Sequence, residues 1–255
     1  IEINNIQDII REYQKFKFFL RTIDGDEKYE EEQGNIINSI VERCQDSKIS
    51  NEVLVNTVMS QKNMRPKEQA QIIGSYVYGF SKDNFFEDCK DIISKIMLFN
   101  GDYFYTNSEF ASLFVCNLPI EKLKNDIGNI INFISKSDDY LYLQKFLMLH
   151  YIIKNLPRDI KINNGRQLVD NISKNNDYSE KILEIMSQDD LYRDAVIGSI
   201  DSMESEIVYK MFDFFKEHVD IRKICDRVTD RVFDENLCNE NVDKYIEPIK
   251  YAGNT

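Results

Sequence analysis

The two histidines come first among residues that could do chemistry, because imidazole titrates near neutral pH and often binds metals. His150 lies within residues 140–156, a stretch that is apolar almost all the way round, where it would serve as a buried general base or metal ligand. No second histidine follows at helical spacing and no HExxH motif occurs, so a histidine-rich zinc site is not predicted. We interpret His150 as a core residue hydrogen-bonded to a neighbour, and His218 as a helix-terminal residue that interacts with the helix dipole.

The cysteines could supply a nucleophile if one of them lay beside a histidine. They are widely spaced without a CxxC pair, and they lie among apolar residues at helical spacing, as Cys89 does after Phe85. This pattern is typical of buried cysteines that act as small apolar side chains. Their odd number indicates reduced thiols in a cytosol-like compartment. The five are Cys44, Cys89, Cys116, Cys225 and Cys238.

An acidic segment, DDLYRD, is the main candidate for metal chemistry. With Asp189, Asp190 and Asp194 it resembles the aspartate-rich motif of all-α isoprenoid synthases, which would imply binding of magnesium and a diphosphate. The last acid is one position late, with Arg193 in its place, and one position on a helix turns a side chain by about 100°. Residues 176–184 resemble the second motif of that family but precede the first. A capped helix start also accounts for Asp189 and Asp190, and we favour that interpretation.

Three further acids, Asp226, Asp230 and Asp234, repeat at helical spacing with arginines three or four residues away. They could form a ladder of ligands, but a solvated helix face held by intrahelical ion pairs is the simpler interpretation. No GxSxG, Walker-type or GxGxxG motif occurs. The sequence therefore predicts no catalytic, cofactor-binding or metal-binding residue, and no cofactor.

A basic and aromatic segment, residues 11–21, is the predicted binding surface. Its stripe of Tyr13, Phe16 and Leu20 is expected to face the core, which leaves two phenylalanines beside basic residues. Such an edge suits a protein partner, and a nucleic acid is the alternative. The formal net charge of −12 makes general nucleic-acid binding unexpected. The predicted binding residues are Arg11, Lys15, Phe18, Phe19 and Arg21.

Apolar residues recur at steps of three and four along most of the chain, which predicts an all-α fold of about 12–14 helices. Residues 140–156 are expected to form a central helix surrounded by other elements. A short strand is predicted at residues 103–105 and a loop at residues 163–165. Helix starts near residues 35, 51, 66 and 83, and again near 178, 189, 203 and 220, give one helix pair roughly every 30 residues. This rhythm favours an irregular, HEAT-like helical-repeat stack over a compact multi-helix bundle.

Composition bounds the remaining expectations. The chain has 34 Ile and 24 Asn against 4 Ala, which is typical of an A/T-rich genome such as that of a low-GC bacterium, a phage or a large DNA virus. We expect a single helical domain over residues 1–255, with a joint near 157–165 that separates residues 1–156 from 166–255. No stretch is apolar enough to span a membrane, and we expect a cytoplasmic protein, or one of the host cytoplasm if it is viral.

These observations predict a non-catalytic module that binds another protein through a groove or face of stacked helices. An all-α enzyme that uses carboxylates and a metal, or the helical regulatory domain of an enzyme, is the first alternative. A nucleic-acid-binding accessory subunit that uses residues 11–21 is the second. The sequence makes no prediction of the oligomeric state.

Overall fold

The computed structural model describes residues 2–20, 36–37, 39–41, 49–80, 84–99, 104–174 and 178–232. Within these ranges the protein is all-α, as predicted, with fourteen helices of defined bounds, further helical residues at 36–37 and 39–41, and no strand. Apolar periodicity also predicts a helix at residues 242–249, and these residues lie outside the described ranges. The helices are α1 (Glu2–Leu20), α2 (Asn51–Met59), α3 (Pro66–Phe80), α4 (Phe85–Leu98), α5 (Phe104–Cys116), α6 (Ile120–Lys136), α7 (Tyr142–Asn155), α8 (Arg158–Ser173), α9 (Ser179–Gln188), α10 (Asp190–Gly198), a 3-10 helix (Ile200–Ser202), α11 (Ser205–Lys210), α12 (Phe212–His218) and α13 (Ile221–Val232).

The chain divides into two compact units. Unit 1 comprises Ile1–Phe133 and Leu143–Asn155, and unit 2 comprises Ile134–Tyr142 and Leu156–Thr255. The single domain and the joint near 157–165 stay predictions.

The helices of unit 1 follow a register of 38 residues in both sequence and burial. Leu54 of α2, Ile92 of α4 and Ile130 of α6 are equivalent buried residues at this interval, and Leu168 of α8 continues the series in unit 2. Two more buried series run beside it: Val55, Ile93, Ile131 and Val169, and then Val58, Ile96, Ile134 and Ile172. The spacing of three and one residues within each helix places all three positions on one helical face. We call α2, α4 and α6 the first helices.

The alternating helices α3, α5 and α7, which we call the second helices, keep the same register. Their buried positions form four series, each separated by 38 residues: Ile72, Phe110 and Met148; Ile73, Ala111 and Leu149; Tyr76, Phe114 and Ile152; Val77, Val115 and Ile153. Each repeat is therefore a pair of helices that buries one stripe of each against its neighbours. This is the organisation of a helical-repeat stack.

Contacts between alternate helices show how the repeats of unit 1 pack. In the second helices, the Ser112 hydroxyl donates to the Met148 carbonyl (3.1 Å) and the Cys116 thiol to the Ile152 carbonyl (3.7 Å). Both partners advance by one helical turn in the same direction, so α5 and α7 lie side by side and parallel. In the first helices, the Lys122 ammonium of α6 lies 5.4 Å from the centroid of the Phe85 ring of α4.

Two buried carboxamides terminate first helices at equivalent positions. Gln69, the fourth residue of α3, donates from Nε2 to the carbonyls of Met59 (3.4 Å) and Gln61 (3.0 Å) at the end of α2. Asn107, the fourth residue of α5, donates from Nδ2 to the carbonyls of Met97 (3.3 Å) and Phe99 (2.6 Å) at the end of α4. The two donors, and the two acceptors given for each, are 38 residues apart; Gln69 donates in addition to the Val58 carbonyl (2.9 Å). Each carboxamide satisfies carbonyls that a helix terminus leaves without an intrahelical donor.

The helix predicted to be central is only partly buried. In α7, Met148, Leu149, Ile152 and Ile153 are buried, but Leu143 is 39 % exposed. The prediction that this helix is enclosed on all sides is therefore wrong, because its apolar residues serve two faces and only one of them forms the core.

Two local predictions are also wrong. The segment predicted as a strand enters α5 at Phe104, so its described residues are helical. The predicted loop at residues 163–165 lies inside α8. Gly165 serves close helix packing there, since a Cβ atom built on it would lie 3.3 Å from the Cβ of Ala195 in α10.

Unit 2 is held by packing of α8 against α9 and α10, and of α11 against α13. The buried Lys161 of α8 donates to Asp189 (2.7 Å) and lies 5.3 Å from the centroid of the Tyr192 ring. Arg227 of α13 donates to the carbonyl of Met203, where intrahelical pairing with an aspartate was predicted. Of the predicted aspartate ladder, Asp226 is exposed, while the side chain of Asp230 and the whole of Asp234 lie outside the description.

Candidate functional site

The aspartates that resemble a synthase motif do not converge on a shared point. Asp189 caps α10 by accepting from the backbone N–H of Leu191 (3.0 Å), and it pairs with Lys161. Burial raises the pKa of Asp189, but the hydrogen bonds from Lys161 and the Leu191 N–H, together with the charge of Lys161, lower it more, and the net pKa lies below its ordinary value. Asp190 pairs with Arg193 (2.8 Å), and Asp194 is exposed. The arrangement is that of a capped helix start.

No group of three or more histidine, cysteine, aspartate or glutamate side chains lies close enough to hold a metal ion within the described ranges. The same ranges contain no helix that is long and apolar enough to span a membrane.

His150 lies on the half-buried side of α7 among aromatic rings. Its ring stacks on that of Tyr151, with centroids 5.6 Å apart and planes inclined by 16°, and is tilted against Phe146 at 5.8 Å. The predicted environment was a core position with a hydrogen-bonding neighbour, whereas the contacts found are aromatic. Burial lowers the pKa of His150, and the nearby Lys154 ammonium lowers it further. The imidazole is therefore neutral at pH 7.

The cysteines in the described ranges are buried or bonded within the fold. Cys89 and Cys225 are buried, and Cys116 donates to a carbonyl of the neighbouring helix. Burial raises the pKa of the Cys89 thiol strongly, and Asp126 and Asp88 raise it further. A thiol of that kind is not a nucleophile at neutral pH. Cys44 and Cys238 lie outside the described residues.

The predicted binding segment at residues 11–21 is only partly described. Arg11 and Lys15 are exposed on α1, and each pairs with an acid one turn earlier: Arg11 with Asp8 (2.7 Å) and Lys15 with Glu12 (2.6 Å). The side chains of Phe18 and Phe19 and the whole of Arg21 lie outside the description. The structure therefore brings together no cluster from these five residues. Their role in binding stays a prediction.

A different surface emerges from the repeat register. The three first helices carry 11 charged residues in 40, whereas the three second helices carry 5 in 42. Of the two acids on the second helices, Glu68 is buried against Lys17, which leaves Glu109 as the exposed one. A helix row that faces away from its core with so little charge is unusual, since outward positions are mostly charged or polar.

The outward side chains of this row are apolar at equivalent positions. Tyr105, the second residue of α5, is 56 % exposed, and Leu143, the second residue of α7, is 39 % exposed. Tyr78 of α3 is also exposed. Half-buried residues, apolar apart from His150, accompany them, and together they form what we call the second-helix face: Tyr78, Tyr105, Leu113, Leu143, Leu147, His150 and Tyr151. On α7, the spacing of Leu143, Leu147 and His150 places them opposite the buried stripe.

Other exposed large apolar residues in the described part of unit 1 are isolated. Leu98 ends α4 and Ile120 begins α6, so neither extends a patch along its helix. Single exposed apolar residues of this kind are normal at a protein surface.

No protein family, curated protein or solved structure matches this chain.

The second-helix face was not predicted from the sequence, although one signal pointed to it. Residues 140–158 form the longest run without an acid, 19 residues in a chain with 44 acids. The run was interpreted as a buried helix because its apolar residues extend all round. A helix with two apolar faces, one for the core and one for a partner, gives the same pattern.

Proposed function

We propose that the protein is a non-catalytic module that binds another protein through its second-helix face. The observation that carries this proposal is the pair of exposed apolar side chains, Tyr105 and Leu143, at equivalent repeat positions on a row of helices with few charges. Contiguous exposed apolar surface with a polar margin is characteristic of protein interaction sites.

The side chains that could act in catalysis have structural partners, which supports the same proposal. Asp189 is engaged by Lys161 and by the start of α10, and His150 by two aromatic rings. A catalytic acid or base needs a free position next to a substrate site.

The proposal is tested by affinity purification with the full chain as bait, from cells of its source. The test variant carries Tyr105→Asp and Leu143→Asp, which place two charges on the second-helix face. Both positions lie in the first turn of a helix, where an aspartate is favourable, so folding should be retained. The control carries Asn56→Asp and Asn129→Asp, which add the same charge to exposed positions of first helices.

We expect a partner protein that co-purifies with the wild type and the control but is depleted at least about tenfold with the test variant, as expected for loss of a central apolar contact. Circular dichroism and thermal unfolding of all three proteins verify the fold. Equal recovery of every bound protein with the test variant and the wild type would contradict the proposal.

A further inference from the structure

We infer that the partner is an amphipathic α-helix that crosses the second helices, with apolar residues seven positions apart and acidic residues at its margins. This inference rests on the proposed function and specifies the chemistry of the partner for the same surface.

The spacing of the two exposed apolar residues, Tyr105 and Leu143, favours a helical partner over an extended one. Tyr105 and Leu143 occupy equivalent positions on α5 and α7, which lie side by side and parallel. Packed helices have axes about 8–10 Å apart, so we expect Tyr105 and Leu143 to be separated by about this distance. A partner helix advances about 10.5 Å in seven residues and returns nearly to the same face. An extended strand presents side chains on one face about every 6.6 Å and does not match this step.

The equivalent position on α3 indicates which residue type the partner presents at its third contact. The residue 38 positions before Tyr105 is Lys67, the second residue of α3. A helix that crosses from α7 to α3 at this level therefore meets Leu143, then Tyr105 and then Lys67. We therefore infer that the partner helix places apolar residues against Leu143 and Tyr105, and an acidic residue against Lys67.

Charge complementarity supports acidic margins. On α7, Lys154 follows His150 by one helical turn and so lies on the second-helix face, and α7 carries no acid. With Lys67 at the position equivalent to Tyr105, two lysines of this face outnumber the exposed acid of the second helices, Glu109. Screening limits charge interactions to about 8 Å at physiological salt, so the local lysines decide what binds rather than the total charge. Opposite charges at the rim of an interface set orientation and partner choice.

The inference is tested by selection from a displayed peptide library. Every peptide has helix-forming residues and two apolar positions seven apart, and its marginal positions are randomised among acidic, basic and uncharged polar residues. A second library of the same composition places the apolar residues two apart, as in a strand. The full chain is the target, and the variant with Tyr105→Asp and Leu143→Asp is used for counter-selection.

We expect peptides from the first library with acidic margins to be enriched, and basic ones to bind at least about tenfold more weakly, as for opposed rim charges. Enriched peptides should lose binding to the counter-selection variant and keep it to the variant with Asn56→Asp and Asn129→Asp. A variant with Lys67→Gln and Lys154→Gln should lose the preference for acids while keeping some apolar binding.

Other outcomes overturn the inference. Enrichment of basic margins, of the strand-like library, or of no peptide would exclude an acidic amphipathic helix as the partner. The proposed function is judged separately: a partner that is lost only from the test variant in affinity purification supports it even when the peptide selection gives one of these outcomes.

Discussion

Glu68 shows how a single buried acid connects helices of unit 1. Its side chain is fully buried on α3 and accepts from the Lys17 ammonium of α1 (2.7 Å), and from the backbone N–H (3.0 Å) and Nε (3.1 Å) of Arg65. Burial raises the pKa of Glu68, but the hydrogen bonds from Lys17 and Arg65 lower it more, so the carboxyl ionises below its ordinary range. The charged form is therefore favoured by the folded state.

Replacing Glu68 by alanine should lower the free energy of unfolding by about 2 kcal/mol at pH 7, because Lys17 loses its partner in a partly buried position. A folded-state pKa below the unfolded value stabilises the protein above the unfolded pKa, and this stabilisation is lost as the pH falls through the folded pKa. The difference between wild type and Glu68→Ala should thus shrink below about pH 4.5, the ordinary value for glutamate.

Urea unfolding measured at several pH values checks this prediction. The control is Glu121→Ala, at an exposed glutamate in the first turn of α6, which should change stability by less than about 0.5 kcal/mol. A stability difference for Glu68→Ala that stays constant down to acidic pH would show that the carboxylate charge contributes nothing.

At the scale of the helix, the Gln69 and Asn107 carboxamides add side-chain donors to the C-terminal carbonyls of α2 and α4. Replacing Asn107 by leucine leaves two carbonyls without their side-chain donor, and replacing Gln69 by leucine leaves three. Either substitution should lower the free energy of unfolding by about 1–3 kcal/mol. The two caps lie on different helix pairs, so the effects of the two substitutions should add.

Denaturant unfolding of both single variants and the double variant measures these effects. Asn125→Ala is a suitable control, because Asn125 is exposed and donates only to a carbonyl of its own helix, Glu121 (3.2 Å). A change of less than about 0.5 kcal/mol is expected for the control. Single-variant effects no larger than that would show that water satisfies the carbonyls equally well.

Most helices were predictable from apolar periodicity and a few caps. Ser50 caps α2 by accepting from the Val53 N–H, as its position before Asn51 predicts. The misplaced loop at Gly165 has a physical cause, because an Asn-Asn-Gly sequence is a turn signal in isolation, whereas here the missing Cβ lets α8 approach α10. At this position tertiary packing outweighs the local turn propensity.

At the scale of the whole molecule, the question is whether the protein binds nucleic acid. The exposed basic residues of α1 are the predicted contact for it. Arg11 and Lys15 are each paired with an acid, and the chain carries a net charge of −12. We therefore expect no retention on immobilised duplex DNA even at low salt. Retention that weakens as salt increases would contradict this expectation. The variant with Asp8→Asn and Glu12→Gln, which removes both partner acids, should be retained more than the wild type.

The repeat of unit 1 was predicted only in outline. Helix starts along the sequence gave one pair every 30 residues, whereas the buried residues give 38. The difference arises because helix starts need not follow the buried stripes: α2, α4 and α6 begin at residues 51, 85 and 120, which are 34 and 35 residues apart, while their buried residues are 38 apart. The register becomes visible once residues such as Leu54, Ile92 and Ile130 are known to be buried. The second-helix face could not be derived before this, since its residues are defined by their equivalence.

The constant 38-residue register has a consequence for how such a chain can change in length. A segment that begins at one position of α2 and ends just before the equivalent position of α4 contains one whole structural unit. Its duplication or loss leaves each remaining helix with neighbours of the same kind, and the carboxamide of the following second helix still reaches the same two carbonyls. A chain of this kind can therefore gain or lose one 38-residue repeat while the remaining helices keep their packing.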